Sequence, residues 1–137
     1  MNSGTQEIIS NFAGASKCLH LHSNGGSNRQ YKTFSATSGK TYTVSVDYYS
    51  TTTQSLAFKG ELYGGNYSWT EMRAGAYDTP GAWKRISFTY SNLTSNATLF
   101  MFVCCANGTD CYVKNFKIEE GTSATNWVPN GVTSTII

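Results

Sequence analysis

Apolar and polar residues alternate with a period of two in one short segment of this chain after another. Residues 41–49 are the clearest case, with Tyr42, Val44, Val46 and Tyr48 on one side and Thr43, Ser45, Asp47 and Tyr49 on the other. Successive side chains of a strand point to opposite faces, so this pattern predicts one buried and one wet face. Residues 56–63 repeat it, with Leu56, Phe58 and Leu62 inward and Lys59, Glu61 and Tyr63 outward. Residues 84–90 place Ile86, Phe88 and Tyr90 inward, and residues 17–23 set Leu19 and Leu21 against Cys18, His20 and His22. A further strand over 29–35 carries Tyr31 and Phe34. Residues 99–105 form an apolar run, and 111–118 a strand on which Tyr112, Phe116 and Ile118 share a face with Lys114. Asn107-Gly108 between these two predicts a hairpin, because Gly accepts positive φ. Residues 67–73 alternate poorly and read as strand or loop. Ile8, Ile9 and Phe12 suggest a short edge strand in an otherwise poorly defined segment 1–16. No segment sustains a helical period. About eight short strands, spaced about 8 to 14 residues apart, argue for an all-β antiparallel sandwich or barrel.

With 137 residues the chain is expected to form a single domain, 1–137, whose tail 122–137 packs back on the body through Trp127 and stops pairing at Pro129. Only 13% of residues are charged, the net charge is +2, and Lys and Arg never form a run, so nucleic acid is not an expected partner. The longest apolar stretch, 99–106, is far too short for a membrane span, and membrane insertion is not expected. The first residues lack the basic start and apolar block of a signal peptide. That fits either an excised domain or a protein made in the cytosol and released, as a virion component is by lysis. Aromatic residues, at 14%, exceed the needs of an average small core and leave rings for a surface.

The four cysteines contain no CxxC, which argues against a zinc ribbon or a thioredoxin-type site. Cys105 and Cys111 flank a five-residue loop; they are either a disulfide across the hairpin or, with the others, small buried apolar groups. Cys104 faces away from Cys105 and cannot share that bridge. His20 and His22 lie on one strand face but have no carboxylate or third ligand nearby in sequence, so no metal site is expected. The chain lacks GxSxG, HExxH and a phosphate-cradling glycine loop. Asp47, Glu61 and Glu71 read as charges on a wet sheet face rather than as glycosidase carboxylates. The expectation is therefore a non-enzyme without cofactors. Trp69 stands apart, in GGNYSWTEMR, with no apolar neighbours to bury it. Tyr63 and Tyr67 flank it, and Tyr49, Asp47, Glu61 and Arg73 are expected on the same outward face. Flat rings for C–H faces and polar groups for hydroxyls suit a sugar; the same set suits an interface with another protein.

Three stretches carry a family resemblance. The pattern YVKNFKIEEG-x-x-AT-x-W-x-P resembles the closing strand and tail of carbohydrate-binding-module-like jelly rolls of the family 4/9, galactose-binding-like type. The SGKTYTVSVDYYS and GAWKRISFTY stretches resemble two further strands of that family, and the likeness runs over roughly residues 17 to 130. The ATNWVP tail is similar to versions in phage tail, fibre and decoration proteins. The resemblance implies an antiparallel jelly-roll β-sandwich and a non-catalytic module of a phage virion that adheres to cell-surface glycan. The alternatives it leaves are a structural decoration or tail subunit docking onto other virion proteins, and a secreted accessory module of a polysaccharide-degrading enzyme. It also implies that Trp83 and Trp127 are core or lid residues. Family members hold a structural calcium partly through an Asp of the closing strand; Lys114 stands at the matching position, and a cation there opposes calcium.

Overall fold

A computed structural model describes residues 4–24, 28–64 and 69–125. The expectations for Tyr67 and for the tail with Trp127 and Pro129 concern residues outside that set. The described residues form nine strands: β1 (Gly4–Phe12), β2 (Ala15–Ser23), β3 (Asn28–Ala36), β4 (Tyr42–Tyr49), β5 (Gln54–Tyr63), β6 (Trp69–Tyr77), β7 (Lys84–Tyr90), β8 (Ala97–Cys104) and β9 (Asp110–Glu120). They pair antiparallel in two sheets, one ordered β1-β2-β9-β4-β7 and the other β3-β8-β5-β6. This is the expected all-β jelly-roll sandwich. The strand count exceeds the expected eight because the two undecided segments, β1 and β6, are both strands.

The core lies between the sheets and follows the alternation. Tyr42, Val44, Val46 and Tyr48 face Phe58, Leu62, Leu99, Met101 and Val103 across it, with Ile86, Phe88 and Tyr90 closing one side. The buried tyrosines keep their hydroxyls satisfied: Tyr48 donates to the Cys104 carbonyl at 2.6 Å and Tyr90 to that of Gly60 at 2.7 Å. Gly75 on β6 marks a close approach of the sheets, since a Cβ there would lie 2.4 Å from Ile86 Cγ2.

Two sequence expectations are corrected here. Residues 99–118 are not a hairpin: β8 pairs with β3 and β5, whereas β9 pairs with β2 and β4 in the other sheet. The Asn107-Gly108 turn is present, with Gly108 at φ 78° and Thr109 N–H donating to the Ala106 carbonyl, but it arches from one sheet to the other. It is held by Gly108 N–H to Ser23 O (2.8 Å) and Ser23 N–H to Thr109 O (3.1 Å), so its partner is the end of β2. The second correction concerns β9. Ser45 pairs with Lys117 and Asp47 with Lys114, so β9 carries one residue more than β4 over that step, and Asn115 adopts φ 55°. This bulge resets the alternation: Tyr112 and Lys114 face outward, whereas Phe116 and Ile118 are buried in the core.

Candidate functional site

The outward face of the four-stranded sheet gathers charge and rings in rows. On β5, inward Phe58 and Leu62 leave Lys59, Glu61 and Tyr63 pointing out. Lys59 Nζ lies 2.8 Å from Glu61 Oε2, and the Tyr63 hydroxyl donates to Glu61 Oε1 at 3.1 Å. Burial and this bond push the Tyr63 hydroxyl above its ordinary pKa. Beside this row runs β8, where Phe102 pairs with Lys59 and Phe100 with Glu61. The Lys59 ammonium sits 4.8 Å from the Phe102 ring centre, and Phe100 meets Tyr63 edge-on at 5.3 Å. On the other flank runs β6, with Met72 opposite Glu61 and Trp69 opposite Tyr63. Trp69 and Met72 are 57% and 44% exposed, two of the large apolar side chains that stand open to solvent among the described residues. The arrangement offers a large exposed ring beside a hydrogen-bonded row in which Lys59 is buried and Glu61 mostly covered.

Of the sequence candidates within the described residues, Glu61, Tyr63 and Trp69 meet on this strip, whereas Asp47, Tyr49 and Arg73 do not. Asp47 and Tyr49 lie on the outward face of the five-stranded sheet, on the far side of the molecule. Strands β4 and β5 are consecutive in sequence but belong to different sheets, so their outward rows point in opposite directions. Asp47 is engaged by Arg85 Nη1 at 2.9 Å and by the Asn115 side-chain amide at 2.9 Å. Tyr49 packs edge-on against Phe12 and beside Trp83 and Tyr112. Arg73 lies on the opposite side of edge strand β6 from Trp69 and is exposed at the sheet's margin, its guanidinium 5.3 Å from the Tyr90 ring and 3.0 Å from Glu71. The cause is a register shift: Tyr63 pairs with Trp69 but Leu62 with Glu71, and the extra residue separates Trp69 from the face of Arg73. The strip also carries Lys59, already expected outward, and Met72, Phe100 and Phe102, which the sequence candidates did not include. The two phenylalanines sit in an unbroken apolar run that hid their alternation with Leu99, Met101 and Val103; the period of two within that run was the available signal.

Around Tyr112 and Trp83 the outward face of the five-stranded sheet is occupied by its own side chains. Tyr112 is stacked between Phe12 (3.8 Å) and His20 (4.6 Å), and Trp83 donates its Nε1–H to the Ala13 carbonyl while the Lys114 ammonium lies 4.5 Å above its ring. Trp83 is thus a half-buried lid residue outside the core. The fold supplies what the sequence neighbourhood of the histidines lacked: His20 Nε2 and His22 Nδ1 both donate to Asp110 Oδ1, at 2.7 and 2.9 Å. Burial tends to raise the Asp110 pKa, but these hydrogen bonds outweigh it and hold the carboxyl below its ordinary value. Among the described residues no three His, Cys, Asp or Glu side chains are arranged to hold a metal ion.

The four cysteines are buried free thiols. Cys105 and Cys111 are neighbours in the core at the arch, and a hydrogen bond from Cys111 lowers the Cys105 pKa to about 7, while burial drives that of Cys111 up. Burial also pushes Cys104 up, to about 12.

Neither a family model nor a curated protein sequence matches the chain. Solved structures do. A family 4 carbohydrate-binding module superposes with a TM-score of 0.62 at 13% identity, over 88% of this chain and 79% of that one. The CBM22-1 xylan-binding domain from Paenibacillus barcinonensis Xyn10C gives 0.60 at 14%, over 90% and 86%. The enzymatically active domain of bacteriophage CBA120 tailspike protein 4 gives 0.63 at 10%, over 88% of this chain but only 18% of the tailspike chain. The chain therefore has the jelly-roll fold of carbohydrate-binding modules.

Proposed function

We propose that the chain is a non-catalytic carbohydrate-binding module that holds glycan on the outward face of its four-stranded sheet, through Trp69, Tyr63, Glu61 and Lys59. The observation that carries this reading is the strip itself: a large exposed ring beside a hydrogen-bonded Lys59–Glu61–Tyr63 row, flanked by further rings. Stacking on Trp69 favours the apolar face of a pyranose, the Tyr63 hydroxyl and the accessible edge of the Glu61 carboxylate offer hydrogen bonds to its hydroxyls, and buried Lys59 holds that carboxylate in place. The fold it shares with a xylan-binding domain supports the ligand class.

The larger setting we propose is a phage virion, where the module provides adhesion to cell-surface glycan; the shared fold of a phage tailspike domain supports it. A second reading, an accessory module of a secreted polysaccharide-degrading enzyme, draws equal support from the xylan-binding neighbour. Flanking genes separate the two: tail and capsid genes fit the first, a glycoside hydrolase in the same reading frame the second. The binding function is tested on a broad glycan array with the wild type and Trp69→Ala. Selective binding that the variant loses is expected. A wild type that binds no glycan but is recovered on purified virion proteins would make the face a protein-docking surface instead.

A further inference from the structure

Around the corner from Trp69 the sandwich opens into a pocket of about 310 Å³, at the end where β5 finishes, β6 begins and the 91–96 loop joins β7 to β8. Its apolar floor is Leu62 and Leu93; Glu71, Asn92, Thr94 and Ser95 stand around it. The loop is anchored from behind. Leu93 N–H donates to the Lys40 carbonyl at 3.0 Å, Gly39 N–H to the Leu93 carbonyl at 2.7 Å, and Asn92 N–H to Thr41 Oγ1 at 2.9 Å. These bonds fix the backbone and leave the side chains of Asn92, Thr94 and Ser95 without hydrogen-bond partners among the described residues. Glu71 is bridged to Arg73 at 3.0 Å, which steadies its carboxylate at the rim. Convergent polar groups over an apolar floor, held by a rigid backbone, are the features of a small-ligand site, and the volume is at the lower end of the range of about 300–1,000 Å³ usual for one.

We infer that this pocket is a second subsite that takes the terminal sugar of a glycan whose following units cross Tyr63 and Trp69. The inference rests on the carbohydrate-binding reading above and deepens it. Continuity supports the chain path: Leu62 and Gly64, which line the pocket, flank Tyr63 in sequence, and Thr70, also in the lining, follows Trp69. Residues 91–95 of the loop form one wall of this open cleft, and a chain that enters over Tyr63 and Trp69 and meets that wall ends there. Its charged group at the rim is a carboxylate. Hydroxyl donors of a neutral sugar satisfy it, whereas a terminal uronic acid is repelled.

The test uses soluble xylan, a mixed-linkage glucan and a galactan, each intact and after limited internal cleavage, compared at equal mass so that only the number of chain ends differs. Binding capacity of the wild type is expected to rise with chain ends. Thr94→Trp, which fills the pocket from an exposed position, is expected to weaken that binding at least tenfold at an unchanged melting temperature. Glu71→Gln keeps the shape and serves as the second variant; it should remove the discrimination against chains capped by a uronic acid. Capacity that follows mass rather than ends, or a folded Thr94→Trp that binds like the wild type while Trp69→Ala fails, overturns the pocket and leaves the sheet face standing. Retention of the wild type on none of the three polymers and on no glycan of a broad array removes both.

Discussion

Trp69 and Asp110 are the two residues whose surroundings say most about what single side chains do here. Trp69 is 57% exposed at the margin of β6, so its truncation opens no core cavity. Trp69→Ala should therefore melt like the wild type yet lose about 1–3 kcal/mol of glycan binding, the usual cost of removing a large ring from a contact surface. Calorimetric titration beside thermal melting checks both halves; an early-melting variant would place the ring in the core. Asp110 works through stability. Its folded pKa lies below the ordinary value of about 3.9, so the stabilisation is fully present above that pH and is lost as pH falls through the folded value. Wild type and Asp110→Asn should thus differ in melting temperature near neutrality and converge in acid. A gap that stays constant down to strongly acid pH would remove the carboxylate as its source. Neither residue was equally legible in sequence: the polar surroundings of Trp69 signalled exposure, whereas Asp110 and the histidines lie far apart in the chain and meet only through the β2–β9 pairing.

At the scale of elements, the period of two gave correct inward faces wherever a strand was regular, as in β4 and β7. It failed where a bulge inserts a residue, because one extra residue exchanges the two faces. Lys114 and Asn115 in β9 and Thr70 in β6 are such places, and they account for the misplacing of Phe116, Ile118 and Arg73. Pairing partners were less legible still, since a local Asn-Gly signal reports a turn and not the sheet to which each flanking strand belongs. The β8–β9 arch nevertheless keeps Cys105 and Cys111 together, now in the core between the sheets. The Cys111 hydrogen bond of the closed arch lowers the Cys105 pKa to about 7, so Cys105 carries the thiolate of the pair that attacks an oxidant such as oxidised glutathione. Non-reducing mass mapping after such treatment should link Cys105 to Cys111 and leave Cys18 and Cys104 free, with a gain of roughly 2 kcal/mol for so short a loop. A bridge to Cys104, or four free thiols, would contradict this pairing.

For the whole molecule, the two outward faces differ in how their polar groups are bonded, and the sequence could not separate them because both carry the same mixture of Tyr, Asp, Glu, Lys and Arg. On the five-stranded sheet these groups spend their valences on one another. Arg85 spans Asp47, Ser45 Oγ and the Asn115 carbonyl, and at the far end Thr125 donates its backbone N–H to Glu119 while Glu119 pairs with Lys117. On the four-stranded sheet the row beneath Trp69 is bonded along its length but faces an exposed ring. Asp47 tests this division. Its side chain and that of Arg85 are 21% and 18% exposed, so Asp47→Ala strands a mostly buried guanidinium that already has its Nε buried without a partner. Losing one member of such a pair costs about 3–5 kcal/mol when burial is complete, and somewhat less here. Asp47→Ala should therefore lower the melting temperature clearly while the folded variant binds glycan with wild-type affinity, the inverse of Trp69→Ala. Lost glycan affinity in a folded Asp47→Ala protein would mean that the binding surface lies on, or is coupled to, the five-stranded sheet.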